Sequence, residues 1–287
     1  MRRIAVVSGK GGAGKTMVSA ALADSNANIQ VLADCDVEAS NLGFLIPGEL
    51  TSREPFMSLD IAEVDPAICT GCGICADHCV FDALVKSSDM HVLPMRCEGC
   101  GLCEHVCPQE AITMVKRPSG EIFRSRTDIG MMAHGRLNPG SGTSGLLVNE
   151  VKKRALLLDP AADTLLIDGP PGIGCALIST VSGVDAVIAV TEPSVSAIHD
   201  LKRLLTVCRR FDMRFMLVIN RYDLEEGLSG RIEEYAQEQG VPVIARIPFD
   251  AAVVDAVRRG LPVTKIDCEA AKPFSRLWEV IDTELSR

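Results

Sequence analysis

Eight of the chain's twelve cysteines fall in two runs, CTGCGICADHC from Cys69 to Cys79 and CEGCGLCEHVC from Cys97 to Cys107, offset by 28 positions. Each run reads C-x2-C-x2-C-x3-C. Thiolates at that density are ligands for a soft metal. A zinc site expects two C-x2-C pairs with a longer spacer, which four cysteines in eleven residues do not supply. A second constellation opens the chain. In VVSGKGGAGKT, Gly9-x4-Gly14-Lys15-Thr16 fits a phosphate-binding loop. Its glycines let backbone N–H groups curl around phosphates, Lys15 reaches the β- and γ-phosphates, and the Thr16 hydroxyl is a ligand for Mg²⁺. Gly9, Lys10, Gly11, Gly12, Ala13, Gly14, Lys15, Thr16 and Met17 are therefore expected to bind ATP or ADP.

The flanking elements suit that loop. Ile4–Val7 reads as a short β-branched strand and Lys15–Ala23 as a helix, so the loop has a strand before it and a helix N-terminus after it. Val31–Ala33 reads as a second strand ending in Asp34 and Asp36. Leu165–Ile167, Ala186–Val190, Phe215–Ile219 and Val243–Ile247 are short apolar runs at helix-length intervals, the pattern of buried parallel strands. Asn138–Gly145, NPGSGTSG, reads as a loop. Between Asp60 and Arg117 the texture changes to short strands and frequent cysteine. There the repeat extends past the thiols, with Asp82-Ala83-Leu84 echoed by Glu110-Ala111-Ile112. Such self-similarity implies two half-modules about a pseudo-two-fold axis. The expected fold is α/β: a doubly wound, mostly parallel sheet formed by residues 1–59 and 119–287, with a small α+β module inserted at residues 60–118.

Composition narrows the function classes. A net charge of −9 disfavours non-specific nucleic-acid binding, and the short basic runs Lys152–Arg154, Arg209-Arg210 and Arg258-Arg259 read as solvated helix faces. With 4% aromatic residues, a stacking surface for bases is not expected. No leader or membrane-spanning run is legible, and the cysteine spacing suits metal ligation in a reducing compartment, so a cytoplasmic location is expected.

The cysteine runs resemble those of bacterial ferredoxins, where three close thiolates hold one [4Fe–4S] cluster and the fourth serves the other. That resemblance implies one set of Cys69, Cys72, Cys75 and Cys107, and a second of Cys97, Cys100, Cys103 and Cys79. Cys107 is followed by Pro108 as in the pattern, whereas Cys79 is followed by Val80, so the cluster served by Cys79 is expected to be looser. His78 and His105 read as flanking residues. The early lysine of KGGAGKT resembles the deviant phosphate loop of the MinD, ParA and Mrp-type ATPases, a family that includes the nitrogenase iron protein. The resemblance implies an ATPase and an ATP-dependent homodimer, or a heterodimer with a paralogue, in which Lys10 reaches the partner's nucleotide. It further implies that Asp36 orients the attacking water, that Asp168 in LLIDGPPGIG holds Mg²⁺ with Thr16, and that Asn220 and Pro248 border the adenine. TEPSVSAIHDLKR (Thr191–Arg203) also resembles a stretch of these proteins.

Taken as a whole, the chain resembles MinD-type ATPases that carry an inserted ferredoxin module. The first reading of its function is ATP-gated electron transfer between protein donors and acceptors. The second is a carrier or assembly factor delivering clusters to an apo iron–sulfur protein, and the third a positioning ATPase with a redox-sensing or docking module. Cys175 occupies the place where the nitrogenase iron protein ligates its cluster, but one cysteine per chain favours a buried small hydrophobe. Cys35, Cys208 and Cys268 read as core or near-surface thiols. The final helix, Phe274–Leu285, carries Phe274, Leu277, Trp278 and Ile281 at helical spacing. Its Glu279, Asp282 and Glu284 disfavour anionic lipid, so it is expected to pack on the core and not to anchor to a membrane.

Overall fold

The computed structural model describes residues 1–26, 29–87, 89–211 and 213–286. The chain divides into two compact units. One comprises Met1–Glu54, Ile122–Arg136 and Ser144–Arg287, and the other Pro55–Glu121 with Leu137–Thr143.

The strands are β1 (Arg2–Ser8), β2 (Ile29–Asp34), β3 (Gly48–Val64), β4 (Leu84–Lys86), β5 (Met90–Val92), β6 (Ile112–Thr127), β7 (Met131–Leu137), β8 (Thr164–Pro171), β9 (Ala186–Thr191), β10 (Arg214–Asn220) and β11 (Val243–Ile247). Nine of them form one sheet in the order β11-β10-β9-β1-β8-β2-β7-β6-β3. Every neighbouring pair from β11 to β7 is parallel. The central strands are apolar along their length because helices cover both faces. Ile4–Val7, Leu165–Ile167 and Ala186–Ala189 are all fully buried. The edge strand β11 departs from the expected burial: only Ile247 is enclosed, since one side of an edge strand has no neighbour.

The covering helices are α1 (Lys15–Asp24), α2 (Leu42–Leu45), α5 (Ser144–Leu158), α6 (Cys175–Val181), α7 (Val195–Cys208), α8 (Glu226–Glu238), α9 (Ala251–Arg258) and α10 (Leu277–Leu285). Phe274, Leu277, Trp278 and Ile281 join α1 in one core cluster, as their spacing suggested, and Trp278 Nε1 donates to Leu22 O at 2.9 Å. The last helix starts three residues later than expected, because Phe274 belongs to a preceding 3-10 segment, Glu269–Ser275, that contains Pro273.

Parallel strands place all their C-terminal ends along one sheet edge. β1 lies between β8 and β9, where the connections change direction, and ligands bind at such a switch point. The loop after β1, the acidic end of β2, the end of β8 and Asn220 at the end of β10 therefore meet there.

The second unit contains the β4–β5 hairpin and two one-turn helices, α3 (Ile74–Asp77) and α4 (Leu102–His105). The two halves repeat in backbone detail. Asp82 and Glu110, 28 positions apart, both adopt left-handed conformations (φ 49° and 52°). Ala83 N donates to Cys79 Sγ at 3.4 Å, and Ala111 N to Cys107 Sγ at 3.3 Å. Gly99 admits no side chain, since a Cβ would lie 2.3 Å from Asp60 O. The sheet extension β3, β6 and β7 was not expected from the sequence, and all three strands contribute residues to both units.

Candidate functional site

A cavity of about 820 Å³ opens over the switch point. Gly11–Met17, Asp36, Asn220 and Pro248 all line it, as do Phe44, Phe249 and Val253, which the sequence did not single out. Gly14 precedes α1 at φ 94°, and a Cβ there would lie 2.2 Å from Asn220 Nδ2. Asn220 in turn donates from Nδ2 to Ala13 O at 2.9 Å, tying the end of β10 to the loop. Gly9 and Lys10 face elsewhere. A Cβ on Gly9 would lie 2.6 Å from Asp200 Cβ on α7, so only glycine lets that helix approach the loop.

Below the loop, Lys15 is 6% exposed and lies 3.3 Å from Asp168 and 3.4 Å from Asp36. Thr16 Oγ1 and Ser19 Oγ donate to the two oxygens of Asp168 at 2.8 and 2.7 Å. Burial disfavours the Lys15 ammonium, but Asp168, Asp36 and Asp34 outweigh it and hold its pKa above the ordinary value. Burial raises Asp36 above the usual carboxylate range against the pull of Lys15. Asp34 is fully buried. Burial and then Asp168 push its pKa up to about 7, opposed by hydrogen bonds from Ser40 and Leu42 and by Lys15. Its carboxylate accepts from Asp36 N at 3.1 Å, Ser40 Oγ at 2.7 Å and Leu42 N at 3.0 Å, clamping the loop after β2. Neither Ser19 nor this clamp is signalled by a sequence motif.

The Lys10 ammonium pairs with Glu192 at 2.7 Å and donates to Ser194 and Ser196, at 3.1 and 3.3 Å. Arg221 holds the other Glu192 oxygen at 3.2 Å. The stretch Thr191–Arg203 thus meets the phosphate loop through Lys10. Cys175 corrects the expectation of burial: it is exposed and lines the cavity. It is the first residue of α6, directly after a glycine-rich loop, and the inner face of that helix is taken by Leu177, Thr180 and Val181. Cys35 and Cys208 are buried, and Cys268 is partly buried.

The eight clustered cysteines surround two small cavities in the second unit. Cys69, Cys72, Cys75 and Cys107 line one, and Cys79, Cys97, Cys100 and Cys103 the other. Cys75 and Cys103 are buried, Cys72 and Cys100 exposed, and the rest intermediate. Burial raises the Cys75 and Cys103 thiols above their ordinary pKa. Among the described residues no three His, Cys, Asp or Glu side chains converge on a point that could hold a single metal ion. Thiolates that each bind a different iron of one cluster stand further apart than ligands of one ion, so four sulfurs around a cavity fit a cluster. His78 Nδ1 lies 2.9 Å from Ile74 O, which leaves that nitrogen engaged with its own helix.

Residues 4–263 match the model of the CobQ/CobB/MinD/ParA nucleotide binding domain. An uncharacterized protein of Methanocaldococcus jannaschii is 36% identical over 280 residues, covering 96% of this chain and 95% of its own. An iron-sulfur cluster carrier protein of Pyrococcus horikoshii is 27% identical over 188 residues, covering 58% of this chain and 63% of its own. Among solved structures, septum site-determining protein MinD of Pyrococcus horikoshii, complexed with Mg-ADP, superposes with a TM-score of 0.59. It is 20% identical and covers 98% of this chain and 96% of its own. The shared fold is the mostly parallel α/β sheet of a P-loop NTPase. No described helix is long and apolar enough to cross a membrane. The chain belongs to the CobQ/CobB/MinD/ParA nucleotide-binding domain family.

Proposed function

We propose that this protein is an ATPase that couples nucleotide-dependent dimerisation to electron transfer through two [4Fe–4S] clusters held in an inserted ferredoxin-like unit. The observation that carries this reading is the division of eight cysteines into two cavities of four, each combining three cysteines of one run with the last of the other. Bound clusters supply one-electron redox chemistry at low potential. The chain's own part is to hold them: four thiolates each, with Ala83 N–H and Ala111 N–H donating to the Cys79 and Cys107 sulfurs.

At the nucleotide site, Lys15 neutralises the β- and γ-phosphates, Thr16 and Asp168 hold Mg²⁺, and Asp36 orients the attacking water. Asn220 and Pro248 border the base. Lys10 leaves Glu192 to reach the nucleotide of a second copy, or of a paralogue. The partners are protein electron donors and acceptors, and the setting is the cytoplasm.

An anaerobic redox titration followed by EPR, run without nucleotide, with ADP and with a non-hydrolysable ATP analogue, tests the reading. A coupling of about 3 kcal/mol between nucleotide and cluster moves a one-electron potential by roughly 130 mV, since about 59 mV is tenfold. Potentials that ignore the nucleotide remove the thermodynamic gate. A second reading, delivery of clusters to an apo iron–sulfur protein, is favoured by the relative named as an iron-sulfur cluster carrier protein. Intact transfer of iron and sulfide to an apo-acceptor, accelerated by ATP, would select it over the first.

A further inference from the structure

The 28-residue repeat allows the two cysteine cavities to be compared position by position, and their rims differ at four lining positions. The cavity of Cys79, Cys97, Cys100 and Cys103 is edged by Val80, Phe81, Glu98 and Met114. The equivalent positions in the other half are Pro108, Gln109, Thr70 and Lys86. The first three of these line the cavity of Cys69, Cys72, Cys75 and Cys107. Lys86 donates its ammonium to Gly71 O, beside Cys72. Both rims keep one exposed apolar residue (Leu102 and Ile74) and one exposed carboxylate (Asp82 and Glu110); beyond these, one adds Val80, Phe81 and Glu98, the other Pro108, Gln109, Thr70 and the Lys86 cation.

The apolar members of the first rim are open to water. Val80 is 81% exposed, Phe81 39% and Leu102 40%. Exposed Asp77 and Asp82 flank Val80 and Phe81 in the chain, and exposed Glu98 stands at the cavity mouth. Exposed Glu104 accepts from Met114 N at 3.1 Å. Arg96 lies among them, its guanidinium donating to Asp82 O at 3.4 Å. Asp77, Asp82, Glu98 and Glu104 give the rim its acidic character. An apolar centre within a polar ring is the anatomy of a protein interface, and complementary charge steers the encounter.

We propose that this rim, and not its counterpart, is where a redox protein docks, and that the partner presents an apolar patch ringed by lysine and arginine. The inference rests on the reading of the cysteine cavities as cluster sites and adds the side from which electrons enter or leave.

The test uses the full chain, reconstituted anaerobically with ferrous iron and sulfide, and cytochrome c as a basic one-electron probe. Iron and sulfide uptake is measured first. Carbodiimide coupling of carboxylates to probe lysines, mapped by mass spectrometry, should fall on Asp77, Asp82, Glu98 and Glu104. Two variants are compared by affinity and, after reduction of the loaded protein with dithionite and removal of the excess, by anaerobic stopped-flow reduction of the probe. One converts this rim to its counterpart (Val80→Pro, Phe81→Gln, Glu98→Thr). The other alters charge alone (Asp77→Asn, Asp82→Asn, Glu98→Gln) and keeps the backbone free of a new proline. Each should weaken probe binding about tenfold and flatten its salt dependence. The mirror change, Thr70→Glu with Pro108→Val and Gln109→Phe, should cause no loss. Couplings scattered over other carboxylates, or unchanged affinity in the charge-only variant, overturn the docking surface even when the chain loads fully. Couplings confined to this rim in a chain that takes up no iron sink the cluster reading and leave the docking surface standing.

Discussion

Replacing Lys15 by methionine in the nucleotide-free protein isolates the electrostatics of the phosphate loop. Lys15 is the cation placed against Asp168 and Asp36, and it also lowers the pKa of Asp34. Removing one partner of a buried ion pair costs about 3–5 kcal/mol, because the other charge stays in a poor medium. Protonation caps that penalty. An unfolded aspartate titrates near 3.9, so keeping a proton on a buried one costs about 1.4 kcal/mol per pH unit above that value, or about 4 kcal/mol at pH 7. The sign follows from proton counts. The folded variant binds a proton that the unfolded chain lacks, so its stability falls as pH rises from about 4 to 7. Urea unfolding without Mg²⁺ or nucleotide, followed by the fluorescence of the single tryptophan, Trp278, reports on this unit. Lys15→Met should lose about 3–4 kcal/mol at pH 7 and less than half of that at pH 5. Adding Asp168→Asn should recover part of the loss at pH 7. A loss that is the same at both pH values, or below about 1 kcal/mol, would refute the pairing as the stabilising interaction.

Asp34, raised to about 7 by burial, gives the wild-type protein its own decline in stability as pH rises between about 4 and 7. Asp34→Asn, whose amide oxygen still accepts from Leu42 N, should flatten that slope, and a slope parallel to wild type in thermal melts would contradict it. Lys10→Ala should abolish the dependence of ATP hydrolysis on protein concentration while fluorescent-ADP binding persists; unchanged turnover would remove the role of Lys10 across a dimer. Gly14→Ala forces a Cβ against Asn220 at a left-handed position and should lower nucleotide affinity at least tenfold by calorimetry. Cys79→Ser should leave roughly half the iron after reconstitution, and retention of all of it would reassign the ligand.

The phosphate loop and the cysteine runs were legible because their chemistry is local. Glycines free the backbone over a few positions, and thiols at fixed spacing can meet only in a few ways. The extension β3, β6 and β7 was not, because β3 buries only Phe56 and Ala62 along its length and contains Pro55. An outer strand of that composition carries little of the apolar signal that marked β8 or β9. Lys10 and Glu192 are far apart in sequence and meet because β1 pairs with β9, a fact of topology alone. Cys175 was misread for a related reason. The apolar text around it, CALI, describes a short helix whose buried face begins at Leu177 and leaves the first residue on the cavity rim.

Under the proposed function, the surroundings of Lys15 give the loop after β2 a way to respond to a phosphate. Lys15 has two carboxylate neighbours within 3.4 Å, and both belong to the set that serves Mg²⁺ and water in the proposed mechanism. Phosphates entering the loop compete for the same ammonium. Asp168 keeps its hydrogen bonds from Thr16 and Ser19, whereas Asp36 is half-buried and its charge is offset chiefly by Lys15. The loss of Lys15 therefore falls hardest on Asp36. Its backbone N–H is one of three donors to Asp34, and the other two, Ser40 and Leu42 N, fix the start of α2. A change at Asp36 thus acts on a buried carboxylate whose pKa burial already pushes up, and through it on the segment leading from α2 into β3. Because a partly satisfied buried acceptor is costly, Asp34 is expected to hold its three donors or release them together.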